Sequence, residues 1–533
     1  MAHTKSIKYT LGVGEKHTIE GRIYTTDREL LAKDYVGLGI GGVVVLVIVG
    51  LWFTACLSQS DIPSESGSQA DASVQGDSTN GYDDGEVGVK DSPDGCPTLS
   101  CSLHCAGGLR TDEAGCEVCE CRYTTVLTWL EDVSTSAFGT FGSHNPRITE
   151  TPHGIYMTYQ VNEKDSEHNG DWKLVRSQDL GASWTEVYSA SGTRPPAVVA
   201  DNTGNVHLIT SDPNADKMHL YSFSASGFTA HHEYGGIRCD AKFTAVYDPT
   251  WNNVYIGTQY GRFLAIWLKS FGIMHDYQVF QDKGNTSPYA CAQYPQLALD
   301  NSGNIHFATT TSNLADTHVY RNILHVFASP QPNGQLMWAR IARPGETGAQ
   351  GVPTPIRPDE NGDALEINDH DERGQPGVVS VHLTNFIAKG NFVHFYYTVV
   401  RQGVPDWRTH YKRINRWTGA VDVDLDGDTT PIAGQTIVLR PYGGFFSTAS
   451  VVDPSTPLYL TSGERDRGQI GVLVSHDNGV TWLDYAITDE GPLAWSNISG
   501  ARYSDGRIMV AFSSAPRDPA YPASVKYLGF YPK

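Results

Sequence analysis

The sequence predicts an all-β protein, a six- to seven-bladed β-propeller with seven blades preferred. Three observations carry that expectation. A short hairpin pattern recurs along residues 123–533, two further hairpins share the spacing S-x-D-x-G-x-x-W, and no long helical periodicity competes with them.

The recurring pattern is a strand, a tight turn with Gly, Asn or Pro, and a second alternating strand. Its copies begin at Pro146, Pro196, Phe243, Pro295, Val381, Ser447 and Ser499. Their turn residues Gly154, Gly204, Asn252, Gly303, Gly390, Thr456 and Gly506 step by 50, 48, 51, 87, 66 and 50. A unit of about 50 residues accommodates a four-stranded blade, and the longer steps imply insertions.

The two S-x-D-x-G-x-x-W hairpins are Ser177, Asp179, Gly181, Trp184 and Ser475, Asp477, Gly479, Trp482. Ser and Asp can bond the turn backbone, Gly allows positive φ, and Trp covers the hairpin. The pattern resembles the Asp-box of sialidases and many other propellers. Sialidases have six blades, and seven units look more like the propeller polysaccharide lyases.

Ahead of the repeats the chain changes character three times. Residues 1–34 carry Lys5, Lys8, Lys16, Arg22, Arg28 and Lys33, whereas residues 35–57 carry no charge. Such a stretch, at about 1.5 Å per residue, spans about 34 Å, enough for a hydrocarbon core of about 30 Å. After it the first basic residue is Lys90. That asymmetry predicts a single-pass anchor with a cytoplasmic N-terminus and an extracytoplasmic C-terminal domain. Cys56 ends the run in a setting that loosely resembles a lipoprotein cleavage site, so a lipid anchor is the alternative. Residues 58–95 hold nine acidic residues and one Lys among Ser and Gly, a composition expected of a disordered acidic stalk.

Residues 96–122 contain six cysteines spaced C-x4-C-x3-C-x10-C-x2-C-x-C and almost no aliphatic core. Cross-links must then supply the stability, and an even count outside the cytoplasm favours three disulfides over a zinc site. The spacing and the Gly-Cys-Glu-x-x-Cys-x-Cys-Arg ending resemble the second half of an antistasin-like domain. The resemblance implies bridges Cys96–Cys116, Cys101–Cys119 and Cys105–Cys121, and a serine protease as a candidate partner. Inhibitors of trypsin-like proteases in that family present a basic residue where this chain has Ser102, which favours a rigid spacer.

With a formal net charge of -20 the chain repels phosphate backbones, which excludes nucleic acid as a partner. In a propeller the innermost strands begin near a central funnel. Those positions offer His144, Arg147, Arg194 and Tyr294 as catalytic candidates, with Lys242, Asp240 and His382 as ligand-binding ones. Cys239 and Cys291 each stand nine residues before an equivalent Asp, Asp248 and Asp300, and are expected to form a disulfide at the funnel mouth.

The segment Pro146-Arg147-Ile148-Thr149 resembles the Arg-Ile-Pro strand of sialidases, with Thr149 in place of Pro. There the Arg pairs bidentately with a sialic acid carboxylate. That resemblance calls for two more arginines, Arg194 with Arg440 or Arg502. It also calls for a nucleophilic Tyr442 or Tyr503 and an acid Asp165 or Glu163. No motif surrounds these positions, and Arg147 is equally readable as a loop anchor. A lyase acting on a uronic acid polymer needs instead a cation on the carboxylate, a Tyr or His to remove the C5 proton, and an acid for the leaving oxygen.

Asp422, Asp424 and Asp426 have the D-x-D-x-D-G spacing of a calcium loop, though position twelve is Ala433. No cofactor is required by any motif, and calcium is the one candidate ion. The expected function is a membrane-anchored surface protein that binds or cleaves a sialoglycan or acidic polysaccharide. The alternatives are a non-enzymatic adhesion propeller, a polysaccharide lyase, and a protease inhibitor acting through the cysteine module.

Overall fold

The computed structural model describes residues 3–10, 16–23, 109–111, 116–121, 125–133, 146–162, 164, 169–212, 217–237, 243–258, 263–270, 272–280, 291–313, 316–331, 335–356, 365–367, 378–401, 407–426, 444–445, 458–463, 470–486, 493–502, 507–516 and 523–530. Every element among them is a β-strand. No helix among them is long and apolar enough to cross a membrane. The expected span at 35–57 and the stalk at 58–95 lie outside the described residues.

The chain divides into Met1–Gly88 and Val89–Lys533. In the first unit β1 (His3–Thr10) and β2 (Lys16–Ile23) form an antiparallel hairpin. In the second, β3 (Leu109–Thr111) pairs β4 (Glu117–Cys121) within the cysteine-rich segment. There Cys116 is buried and disulfide-bonded. The next strand is β5 (Thr125–Val133).

The following seven strands form one sheet in chain order: β6 (Ile148–Thr151), β7 (Gly154–Gln160), β8 (Asn169–Ser177), β9 (Thr185–Ala200), β10 (Val206–Asp212), β11 (Lys217–Ser224) and β12 (Gly227–Gly235). The long β9 serves twice: up to Thr193 it pairs with β8, and from Thr193 onward it pairs with β10. Two four-stranded meanders therefore share one strand.

Four further meanders follow. The third is β13 (Thr244–Asp248), β14 (Asn253–Thr258), β15 (Phe263–Leu268) and β16 (Ile273–Gln278). The fourth is β17 (Cys291–Leu299), β18 (Ile305–Asn313), β19 (Asp316–Pro330) and β20 (Leu336–Arg340), extended by β21 (Gln350–Gly351) and β22 (Leu365–Glu366). The fifth is β23 (Val378–Lys389), β24 (Phe392–Arg401), β25 (Trp407–Asn415) and β26 (Val421–Asp426). The sixth is β27 (Gly444–Phe445), β28 (Leu458–Gly463), β29 (Ile470–Ser475) and β30 (Leu483–Ala486). The last sheet is β31 (Leu493–Arg502), β32 (Ile508–Pro516) and β33 (Ala523–Phe530), and its fourth strand is β5 from the other end of the sequence.

The repeat copies coincide with the hairpins joining the first two strands of these sheets. Gly204, Asn252 and Gly303 turn them with φ of 82°, 53° and 75°. At the sixth copy the first strand lies at Gly444–Phe445, ahead of the segment expected from Ser447, and residues 446–457 lie outside the described set. The long step between Gly303 and Gly390 contains β21 and β22.

Strand faces alternate between two cores. In β13 and β14, Val246 and Tyr255 pack toward the fourth meander with Leu299, Phe307 and Val326. Ala245, Tyr247, Val254 and Ile256 pack toward the second with Ala197, Ile209 and Leu220. A strand buried on both faces must read as a nearly continuous apolar run, as Thr244–Asp248 does. Similar clusters join the first and second, fourth and fifth, and fifth and sixth meanders, and the β5-containing sheet to the first. The first strands touch in the order β6, β9, β13, β17, β23, β27, β31, and β31 touches β6 again.

Candidate functional site

The starts of the first strands are irregular, and the irregularity carries the polar side chains. In β9 the ladder slips between Ala197, opposite Ile209, and Thr193, opposite Ser211. Arg194, Pro195 and Pro196 bulge opposite Thr210. Arg194 has φ 64°, a left-handed conformation costing of order 1–3 kcal/mol for a side-chain-bearing residue. In β17 the ladder slips between Gln293 and Gln296, and Tyr294 in the bulge has φ 55°. Bulges that hold strained residues re-aim side chains, and they concentrate at functional sites.

Behind the first bulge stands Arg147, wholly buried, whose Nη1 donates to the Pro195 carbonyl at 2.5 Å. Thr158 Oγ1 donates to the neighbouring Pro196 carbonyl at 2.7 Å. Burial, and then the charge of Arg194 beside it, lower the Arg147 guanidinium to about 9. Two buried guanidiniums thus lie close together, with Arg147 holding the backbone next to Arg194.

The second bulge brings together two residues singled out from sequence. The rings of Tyr294 and His382 meet edge to face with centroids 4.8 Å apart, and both side chains are half-buried. Their strands, β17 and β23, are fixed by residues that sequence reasoning missed. Gln296 Nε2 donates to the carbonyls of Leu383 and Thr384 at 3.1 Å each, and Leu383 N donates to Thr310 Oγ1 at 3.1 Å. A lone Gln or Thr in an apolar strand gives no sequence signal for such a role. His144, Asp240 and Lys242 lie outside the described residues, as do Glu163, Asp165, Arg440, Tyr442 and Tyr503. Arg502 ends β31, with its side chain outside the described set.

At the opposite end of the first strands the polar groups are clasps. Buried Asp201 accepts from His207 Nε2 at 3.0 Å and pairs with Lys269 of the third meander. Buried Asp300 accepts from His306 Nε2 at 3.4 Å and pairs with Arg416 of the fifth. His325 Nε2 stands 3.1 Å from His306 Nδ1. Burial alone would raise both carboxyls, but the hydrogen bonds, led by those from His207 and His306, hold them below the usual range. Burial lowers His207, His306 and, furthest, His325, so these imidazoles are neutral.

Both octapeptide turns have the internal bonding expected. Gly181 N donates to Ser177 Oγ at 2.7 Å and Ser183 N to Asp179 Oδ1 at 2.8 Å. Gly479 N donates to Ser475 Oγ at 2.6 Å and Thr481 N to Asp477 Oδ1 at 2.8 Å. Each turn also packs on the sheet preceding its own. Trp184 meets Tyr527 with centroids 5.1 Å apart, and Trp482 meets Tyr411 at 5.2 Å.

Asp422, Asp424 and Asp426 lie along strand β26. Asp422 faces Arg413 Nη2 at 3.7 Å and Asp424 faces Lys412 Nζ at 3.3 Å. Among the described residues no group of three or more His, Cys, Asp and Glu side chains converges as a metal site. Cys239 and the side chain of Cys291 lie outside the described set. So do Cys96, Cys101 and Cys105 and the side chains of Cys119 and Cys121.

Residues 96–121 match the antistasin family. No curated protein matches the chain. Among solved structures the chain is similar to an ulvan lyase of a new polysaccharide lyase family, bound to -[GlcA(1-4)Rha3S]-. The TM-score is 0.51 at 10% identity, covering 75% of this chain and 95% of that one. The polysaccharide lyase Uly1 gives 0.45 at 11% identity, over 76% and 98%. The NanB sialidase of Streptococcus pneumoniae gives 0.36 at 11%, over 76% and 70%. The fold is therefore shared with an ulvan lyase.

Proposed function

We propose that residues 123–533 form a seven-bladed propeller that binds an acidic polysaccharide at the starts of its innermost strands and cleaves it by β-elimination. The cyclic order of strand contacts and the β5 closure support seven blades. The observation that carries the chemistry is the Tyr294–His382 contact on neighbouring inner strands. His382 takes the C5 proton of a uronate, the C4–O bond breaks, and the Tyr294 hydroxyl protonates the leaving oxygen, leaving a C4=C5 double bond. Arg194 and Arg147, both buried beside the strand starts, give the carboxylate site a positive potential that stabilises the carbanion-like transition state. The fold shared with an ulvan lyase supports this reading over sialidase chemistry.

The anchor at 35–57, the stalk and the cysteine module would hold this propeller outside the cell, within reach of extracellular polymer. Incubating the full-length protein with a panel of uronate polymers and sialoglycans tests the reading, with ultraviolet absorbance and released sugar followed together. Unsaturated product is expected. Release of free sialic acid, or saturable binding of a uronate polymer with no product, would replace the lyase reading. Tyr294→Phe and His382→Ala should each lower turnover by about 10²–10⁴-fold while the protein stays folded.

A further inference from the structure

Far from the strand starts, the outer edge of the second meander carries a histidine pair that the proposed chemistry does not use. β12 is the last strand of its sheet, and its side chains alternate around an exposed edge. Tyr221 lies opposite His231, and His219 lies opposite Glu233. These four side chains therefore share one face of the sheet. On it His219 Nδ1 and His231 Nε2 stand 3.1 Å apart at an exposed position.

Two imidazole nitrogens bound to one tetrahedral zinc ion at about 2.0–2.1 Å stand about 3.3–3.4 Å apart. The present separation is within a few tenths of an ångström of that, and both groups are accessible from solvent. The ring of His231 is held flat on Tyr221, with centroids 4.3 Å apart and planes 6° from parallel, which fixes the direction of its nitrogens. Glu233, paired with Lys217, lies close enough for its charge to act on His219, as does that of Asp212. Lys217 acts on His219 in the opposite sense, so the surrounding charge is mixed and the spacing of the two nitrogens is what suits a cation.

We propose that His219 and His231 chelate a divalent transition-metal ion of the zinc and copper class on the outer rim, with water completing the coordination. Imidazole suits these metals, and the oxygen-preferring calcium and magnesium ions are not expected to compete. Entry of the ion replaces the hydrogen bond between the rings: the ring that donated it loses that proton to solvent and takes one up on its other nitrogen, and the second ring already carries its proton remote from the metal.

The test is calorimetric titration of the full-length protein with zinc chloride, alongside His219→Ala, His231→Ala and, as a control, His275→Ala on β16. One site is expected that each rim variant weakens by tenfold or more, that His275→Ala leaves unchanged, and that excess calcium does not displace. Copper(II) bound in its place should show two equivalent nitrogen ligands by electron paramagnetic resonance. Absence of saturable zinc uptake overturns the proposal, as does uptake unchanged in both rim variants. His219→Gln, which keeps a neutral polar group on the face, separates a lost ligand from a lost fold: normal melting with lost uptake supports the site, and retained uptake overturns it.

Discussion

Gly181 lies directly against the ring of Tyr527, so closely that a β-carbon there would overlap the aromatic carbons. Gly479 stands in the same relation to the hydroxyl of Tyr411. An arginine of the preceding sheet bonds each turn as well: Arg507 Nη1 donates to the Leu180 carbonyl at 3.4 Å, and Arg413 Nη1 donates to the Asn478 carbonyl at 2.8 Å. The octapeptide turn is thus an inter-sheet latch as well as a hairpin. Both glycines have positive φ, 95° and 87°. Gly181→Ala and Gly479→Ala should each destabilise by about 2–4 kcal/mol, through overlap and backbone strain together. Urea midpoints measure this, and a shift below about 0.5 kcal/mol would remove the latch role.

The buried histidines set an acid limb. His207, His306 and His325 titrate lower in the folded chain than near 6.5, where they titrate unfolded, so below that pH the unfolded state binds more protons. Asp201 and Asp300 are also depressed, and their contribution disappears as pH falls through the acidic range. Both effects have one sign. Stability should drop by about 1–3 kcal/mol between pH 7.5 and 5, and His325→Leu should flatten this limb. Denaturation at a series of pH values checks both, and a flat wild-type profile would contradict them.

Arg416 and Lys269 reach across sheets to carboxylates buried on the neighbouring meander. Removing one partner leaves a buried charge uncompensated. Arg416→Met should cost about 3–5 kcal/mol, and the double variant Arg416→Met with Asp300→Asn should recover a large part of it. A double-variant cycle of melting curves reads the coupling.

Arg147 and Arg194 should separate by assay. Arg147→Met loses the bond to the Pro195 carbonyl and should lower stability, by about 2–4 kcal/mol. Arg194→Met, at a buried position but without the bond to the Pro195 carbonyl, should lower stability less than Arg147→Met and weaken uronate binding. Equal loss of stability in both variants would make Arg194 structural as well.

Much of this architecture was legible because its causes are local. The turn positions Gly204, Asn252 and Gly303 and the Ser177 and Ser475 octapeptides advertise themselves through residues that few other sites require. Tyr294 and His382 occupy the starts of the first strands of neighbouring sheets, a position the hairpin repeat marks in the sequence. What could not be read was pairing across sheets. Lys269 with Asp201, Arg416 with Asp300 and Gln296 with the Leu383 carbonyl join residues 68, 116 and 87 positions apart. No periodicity encodes such distances. The role of Arg147 depended on a backbone carbonyl, which every residue possesses.

The strand that completes the last sheet is among the first of the second unit to be made. Between Val133 and Ala523 the ribosome must add some 390 residues before β5 meets β33. At about 5–20 residues per second, that delay is about 20–80 s. Throughout it the β5 edge, with open backbone donors and acceptors, waits for a partner not yet synthesised, and the six other meanders can order before it is covered. Nascent chains of this protein should therefore pass through a state complete except for its seam, the form that chaperones and proteases in its compartment would encounter.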